Sequence, residues 1–151
     1  KRGGTEHRHH VLDAQSRRLR PRQPLVRRDD EAVGRLLRDD VIPVTGPLDV
    51  VSGWRSPAIN ACVNGASRSQ HLEFKALDLV ATNRRDRRKL YADLCALQSV
   101  TGRKSGMGLG AYFDPSDLSR NTEGRFHIDA SGYRTWGFDY TSKTNPCPKL
   151  S

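Results

Sequence analysis

The chain has 151 residues, enough for one compact domain with a hydrophobic core and too few for two comfortable ones. Its 26 lysines and arginines against 17 aspartates and glutamates leave a net charge of +9 and a pI near 10, which favours an anionic partner such as nucleic acid, an acidic membrane surface or a cell-wall polymer. No apolar run approaches the ~20 residues needed to span a bilayer, and Lys1-Arg2-Gly3-Gly4 leads into no apolar stretch of the signal-peptide kind, so no integral membrane segment is expected.

In chain order, residues 1–28 are basic, rich in Arg, Pro and Gln and without a lasting period, and read as an arm. From Asp29 the acidic Asp29-Asp30-Glu31 opens a helix whose Val33, Leu36, Leu37 and Val41 recur at helical spacing; it is expected to end before Pro43, ahead of the turn at Thr45-Gly46-Pro47. Leu48 to Ser52 reads as a strand. Ser56-Pro57 supplies an N-cap and a first-turn proline for a short helix to about Val63. Ala76 to Val80 is a second strand. Thr82 or Asn83 is expected to cap a longer helix with Leu90, Leu94 and Leu97 on one face and Gly102 at its end. Leu109 to Phe113, Arg125 to Asp129 and Thr135 to Tyr140 complete the strands. This order predicts an α+β fold, a small antiparallel sheet backed by helices, in one domain over residues 29–140, with residues 141–151 as a C-terminal tail.

The three cysteines, Cys62, Cys95 and Cys147, show no CxxC or CxxxC spacing, which argues against a cysteine-bound metal and a dense disulfide framework and leaves room for one disulfide. Arg84-Arg85-Asp86-Arg87-Arg88-Lys89 reads as a solvated charged face. Of the five histidines, His7, His9 and His10 lie in the N-terminal arm, so only His71 and His127 belong to the foldable part. Each alone reads as an ordinary hydrogen-bonded histidine. Together with Asp78, seven residues after His71, they form a set that can hold one zinc ion with a position left for water. Asp78 lies within the strand from Ala76 and His71 in the loop entering it. In the strand around His127, alternation puts His127 and Asp129 on one face and Phe126 and Ile128 in the core.

Several motifs now stand in order: Ser52-Gly53-Trp54-Arg55-Ser56-Pro57, Asn60, Gly65-Ala66-Ser67, Ser69-x-His71 with Ala76-x-Asp78, and Phe126-His127-Ile128-Asp129 with Arg134-x-Trp136. This series resembles the zinc D-Ala-D-Ala carboxypeptidases and related peptidoglycan endopeptidases, over roughly Asp29 to Phe138. The resemblance implies a Hedgehog/D-Ala-D-Ala peptidase-like fold with a single zinc held by His71, Asp78 and His127. It implies further that Arg55 holds the scissile carbonyl oxygen and that Ser69 hydrogen-bonds a ligand or the substrate. For the general base, Asp129 stands ahead of Glu123, with Glu73 third, and the alternative for Asp129 is that it only orients a ligand or the substrate. Phe74 stands where the family usually has glycine, and Trp54 where it has tyrosine.

The expected function is thus a monomeric zinc metallopeptidase acting on peptidoglycan stem peptides or cross-links, most simply of the D-Ala-D-Ala type. Its expected place is the periplasm or the cell wall, with a phage lysin included. A non-catalytic, zinc-stabilised wall-binding module of the same fold is the alternative. Nucleic-acid binding rests on charge alone, without a zinc-finger, helix-turn-helix or interleaved aromatic signature, and is set aside.

Overall fold

The computed structural model describes residues 28–83, 86–115, 117 and 124–150, so the expected N-terminal arm lies, but for Arg28, outside the described residues. The first helical stretch is continuous through α1 (Arg28–Leu36), a π-type turn (Leu37–Val41) and α2 (Ile42–Thr45). The expected stop before Pro43 is corrected. The Ile42 N–H reaches back five residues to the Leu37 carbonyl, and this wider turn admits a proline that has no N–H to give and whose ring crowds the carbonyl four residues earlier. Val33, Leu36 and Val41 are buried as their spacing requires, with Leu37 packed at the margin of the core.

β1 (Leu48–Ser52) is followed by α3 (Pro57–Cys62), whose N-cap Ser56 accepts a hydrogen bond from the Ile59 N–H at 3.3 Å. A short 3-10 turn (Gln70–Glu73) then leads into β2 (Ala76–Ala81). The long helix α4 (Arg87–Ser105) starts later than expected because Asp86, not Thr82 or Asn83, caps it: its carboxylate accepts from the Lys89 N–H at 2.8 Å. It also runs past Gly102, which lies inside the helix, packed close to the Tyr133 ring. Gly106, in the left-handed conformation at φ 67°, supplies the stop.

β3 (Gly108–Ala111), β4 (Phe126–Asp129) and β5 (Arg134–Trp136) complete a five-stranded sheet in the order β1-β2-β4-β3-β5. Every neighbouring pair is antiparallel except β3 with β5, which are parallel, so the antiparallel expectation for the C-terminal strands holds for β3 and β4 and is corrected for β5. Leu79, Leu109, Phe126 and Ile128 are buried on the core side with Leu90, Tyr91 and Leu94 of α4. The strands' alternation leaves the opposite face for polar residues. No described helix is long and apolar enough to cross a membrane.

Residues 142–150 contain a 3-10 turn (Ser142–Thr144) and α5 (Cys147–Leu150), joined to α4 by a Cys95–Cys147 disulfide, while Cys62 is free and exposed. The cross-link closes a loop of 52 residues, which in the chain-entropy picture stabilises the fold by about 4 kcal/mol. Cys147→Ser is therefore expected to lower the unfolding free energy by ~2–4 kcal/mol, read from a lowered urea midpoint with its own fitted slope; an unchanged unfolding free energy would show that the cross-link adds nothing to the stability of the fold.

Candidate metal centre and active site

Strand register builds the site. Ser52 pairs with Asp78, Asp78 with His127, His127 with Gly110 and Gly110 with Trp136, so one row of residues crosses all five strands on one face. Two residues along, a second row on that face holds Ala76, Asp129, Gly108 and Arg134. The glycines make room for larger neighbours. A Cβ on Gly108 would lie 2.2 Å from an Asp129 carboxylate oxygen, and one on Gly110 would lie 2.0 Å from the Trp136 indole. Arg134 can therefore reach over Gly108 to Asp129, and Trp136 lies over Gly110 against His127, their rings 5.3 Å apart.

His71 enters from the side on the 3-10 turn. Ser69 caps that turn, its hydroxyl accepting from the His71 N–H at 3.3 Å, so the expected contact with a ligand residue is made through the backbone. The segment Gly53–Arg55 grips His71 twice: the Gly53 carbonyl lies 2.6 Å from Nδ1, and the Arg55 N–H donates to the His71 carbonyl at 3.0 Å. A register shift in β1 between Val50 and Ser52 turns the chain into this position, a use of strand irregularity common beside functional sites.

Both imidazoles converge on one oxygen. His71 Nε2 and His127 Nδ1 each lie 3.1 Å from Asp78 Oδ1, and the Tyr112 hydroxyl donates to the same atom at 2.7 Å. The other carboxylate oxygen accepts from Arg55 Nη2 at 2.7 Å, while Arg55 Nε donates to the Ser52 hydroxyl at 3.0 Å. Asp78 is fully buried and His71 and His127 nearly so. Burial pushes the Asp78 carboxyl up, but hydrogen bonds from His127, His71 and Tyr112 outweigh it and hold the group well below the usual carboxylate range. For His127, burial opposes the imidazolium, yet the hydrogen bonds and charges of Asp129 and Asp78 prevail and raise it above its ordinary value. Burial, with Asp78 beside it, drives the Tyr112 phenol far above its ordinary value, so it stays a donor.

The ligand atoms of His71, Asp78 and His127 lie within 4.8 Å of one another, and among the described residues this is the group able to hold a metal ion. The outward bonds of the two rings test that fit. The Gly53 carbonyl can only accept, so His71 carries its hydrogen on Nδ1 and presents the Nε2 lone pair inward. Asp129 Oδ2 lies 3.0 Å from His127 Nε2 and likewise turns the Nδ1 lone pair inward. Two lone pairs and a carboxylate facing one another in a buried space repel unless a proton or a metal cation lies among them. The nitrogen and oxygen donor set is one that zinc accepts.

His71 and His127 of this group line a cavity of about 980 Å³. Arg55, Arg68, Arg125 and Arg134 line it, with the mutually packed rings of Tyr112, Trp136 and Tyr140 and with Trp54, Ile59 and Val63. The comparisons with known proteins meet this geometry at one family. Residues 41–112 match the family model of peptidase M15, a stretch that includes Arg55, His71, Asp78 and Tyr112, with His127 beyond it. The match covers just under half of the chain and supports the peptidase M15 family for it. The comparisons with curated proteins and with solved structures gave no match. The match supports a metallopeptidase, of a family typically dependent on zinc, and the His71, Asp78 and His127 group is the place among the described residues where such an ion fits.

The M15 match leaves the proton-transfer roles to be read from the geometry, and the surroundings of Asp129 bear on which of its two expected roles it takes. Its carboxylate is fully buried behind the His127 ring, with Oδ2 taken by His127 and by Arg134 Nη2 at 2.7 Å and Oδ1 by the Ser131 N–H at 2.9 Å. So held, the carboxylate is placed to orient His127, at the ring nitrogen opposite the one that faces Asp78. Glu123 lies outside the described residues. Glu73 is exposed, bonded to Lys75 Nζ at 2.6 Å, and does not line the cavity. Tyr112 was not singled out from the sequence. Its signal was there: Gly108, Gly110 and Tyr112 alternate along one strand face, and two glycines in a strand mark a close approach by something larger. Asp129→Asn is expected to weaken zinc binding roughly 10–100-fold, with turnover recovering as zinc is raised. A variant with wild-type zinc affinity and lost turnover would return the base role to Asp129.

Proposed function

We propose that this chain is a zinc metallopeptidase that hydrolyses peptide bonds in peptidoglycan stem peptides or cross-links, with the D-Ala-D-Ala type of bond as its preferred target. The observation that carries this reading is the inward-facing set of two imidazoles and one carboxylate, three ligands and not four, whose two imidazoles line an open cavity. A site closed for structural purposes would more often add a fourth protein ligand. The cavity supports the substrate class: four arginines line it and no carboxylate does so among the described residues, so it suits a peptide that carries free carboxylates. Aromatic and aliphatic walls suit methyl-bearing side chains such as that of alanine. The Cys95–Cys147 disulfide supports a location outside the reducing cytosol, in the periplasm or at the wall.

Zinc bound at His71, Asp78 and His127 would supply an activated water at neutral pH and a Lewis acid for the scissile carbonyl. The chain's own residues prepare that chemistry. Gly53 and Asp129 fix the ring orientations of His71 and His127, and Arg55 fixes Asp78 through one arm of its guanidinium. The rest of that guanidinium borders the cavity, where it stabilises negative charge developing on the carbonyl oxygen, while Tyr112 stands beside it as a neutral donor.

Digestion of purified peptidoglycan by the zinc-loaded protein, with the released termini identified by mass spectrometry, tests this reading. New D-Ala termini are expected, and Arg55→Lys is expected to cut turnover about 100-fold, because a single ammonium cannot hold Asp78, Ser52 and the substrate oxygen together. Intact peptidoglycan after exposure to the loaded wild-type protein would remove the wall from the substrate class. Wild-type turnover in Arg55→Lys would remove Arg55 from the mechanism.

A further inference from the structure

We propose that the Trp54–Phe74 ring stack is a clasp that positions His71 for the metal. Phe74 ends the 3-10 turn in the left-handed region, at φ 60° and ψ 21°, a conformation that a bulky side chain rarely adopts and that glycine takes freely. The ring of Trp54 lies over it, nearly parallel at 10°, with centroids 5.5 Å apart. Both side chains are otherwise open to solvent, 49% exposed for Trp54 and 41% for Phe74, so burial in the core does not explain their contact.

The backbone gives the contact its meaning. Trp54 is the middle residue of the segment that grips His71, with the Gly53 carbonyl at Nδ1 before it and the Arg55 N–H at the His71 carbonyl after it. Phe74 closes the turn that carries His71, its N–H bonded to the Gln70 carbonyl, and its left-handed backbone directs the chain into β2 toward Asp78. The stack therefore joins the segments that flank His71 and resists any slide of one past the other. Such a slide would move Nε2 away from Asp78 Oδ1. Trp54 also lines the cavity, so a rigid stack fixes one wall of the substrate space as well.

This inference rests on the reading of His71 as a metal ligand, and the test separates the two. Zinc affinity is measured by chelator competition on the full chain for the wild type, Trp54→Ala, Phe74→Gly, the double variant, Trp54→Phe and His71→Ala, together with thermal unfolding of each metal-free form. Each single loss of a ring is expected to weaken zinc binding roughly tenfold. The double variant is expected to be no weaker than the worse single one, because each removes the same contact. Trp54→Phe keeps a ring and is expected to restore most of the affinity. Phe74→Gly relieves the left-handed backbone, so its metal-free form should unfold close to the wild-type temperature, and its lost affinity then reports positioning and not general damage. Zinc affinities within twofold of wild type in Trp54→Ala and Phe74→Gly, or losses that add in the double variant, would overturn the clasp; should Trp54→Ala not fold, Phe74→Gly alone decides. Undiminished zinc binding in His71→Ala would instead overturn the ligand assignment on which the clasp depends.

Discussion

Asp78 is a charge placed in the middle of a strand, fully buried, and the surrounding site is organised by the need to keep it there. An unpaired carboxylate in such a position costs several kcal/mol, enough to threaten a domain of this size. Its partners come from four separate parts of the chain: Arg55 after β1, His71 from the 3-10 turn, Tyr112 after β3 and His127 from β4. Each reaches the same carboxylate, so the folding problem and the chemical problem have one solution. Exchanging a proton among the imidazoles for a divalent cation adds one positive charge against the buried carboxylate and an open coordination position. The buried acid thereby becomes the anionic ligand of a hydrolytic centre.

The partners are themselves held, and small residues make that holding possible. β3 contributes backbone and almost no side chain to the site face at Gly108 and Gly110, which weakens a strand locally but allows Arg134 and Trp136 of β5 to lean across it. His127 is thus bounded by Asp129 at one nitrogen, Asp78 at the other and Trp136 along its ring. β5 is fixed in turn by Gln98 of α4, whose amide donates to the carbonyls of Met107 and Arg134 at 3.3 and 3.1 Å. Core and site are therefore linked through the sheet: α4 packs the apolar face and, through Gln98, also steadies the strand that covers the polar one.

Much of this was legible in the sequence, for physical reasons. Alternation in Phe126-His127-Ile128-Asp129 placed the histidine and aspartate on one face because strand geometry admits no other arrangement. Ser56-Pro57 announced α3 because a cap and a fixed φ act locally. Elements that depend on distant contacts were not legible. Asp86 outcompeted Thr82 and Asn83 as the cap of α4, a choice among three good capping residues that local pattern cannot make. The helical path crossed Pro43 by widening one turn, and β5 took a parallel position beside β3, which only the completed sheet determines. The Cys95–Cys147 pairing needed α5 to fold back on α4. Asp129 illustrates the limit within the site itself: sharing a face with His127 was readable, but which edge of the imidazole it would occupy was not, and that edge decides between proton transfer and orientation.

The most direct measurement is anomalous diffraction at the zinc absorption edge from crystals of the zinc-loaded protein. The account predicts a single strong peak among His71 Nε2, His127 Nδ1 and an Asp78 carboxylate oxygen, about 2.0–2.2 Å from each, with a remaining position open to the cavity. A peak on the other edge of His127, at Nε2 beside Asp129, or a site closed by a fourth protein ligand would contradict it.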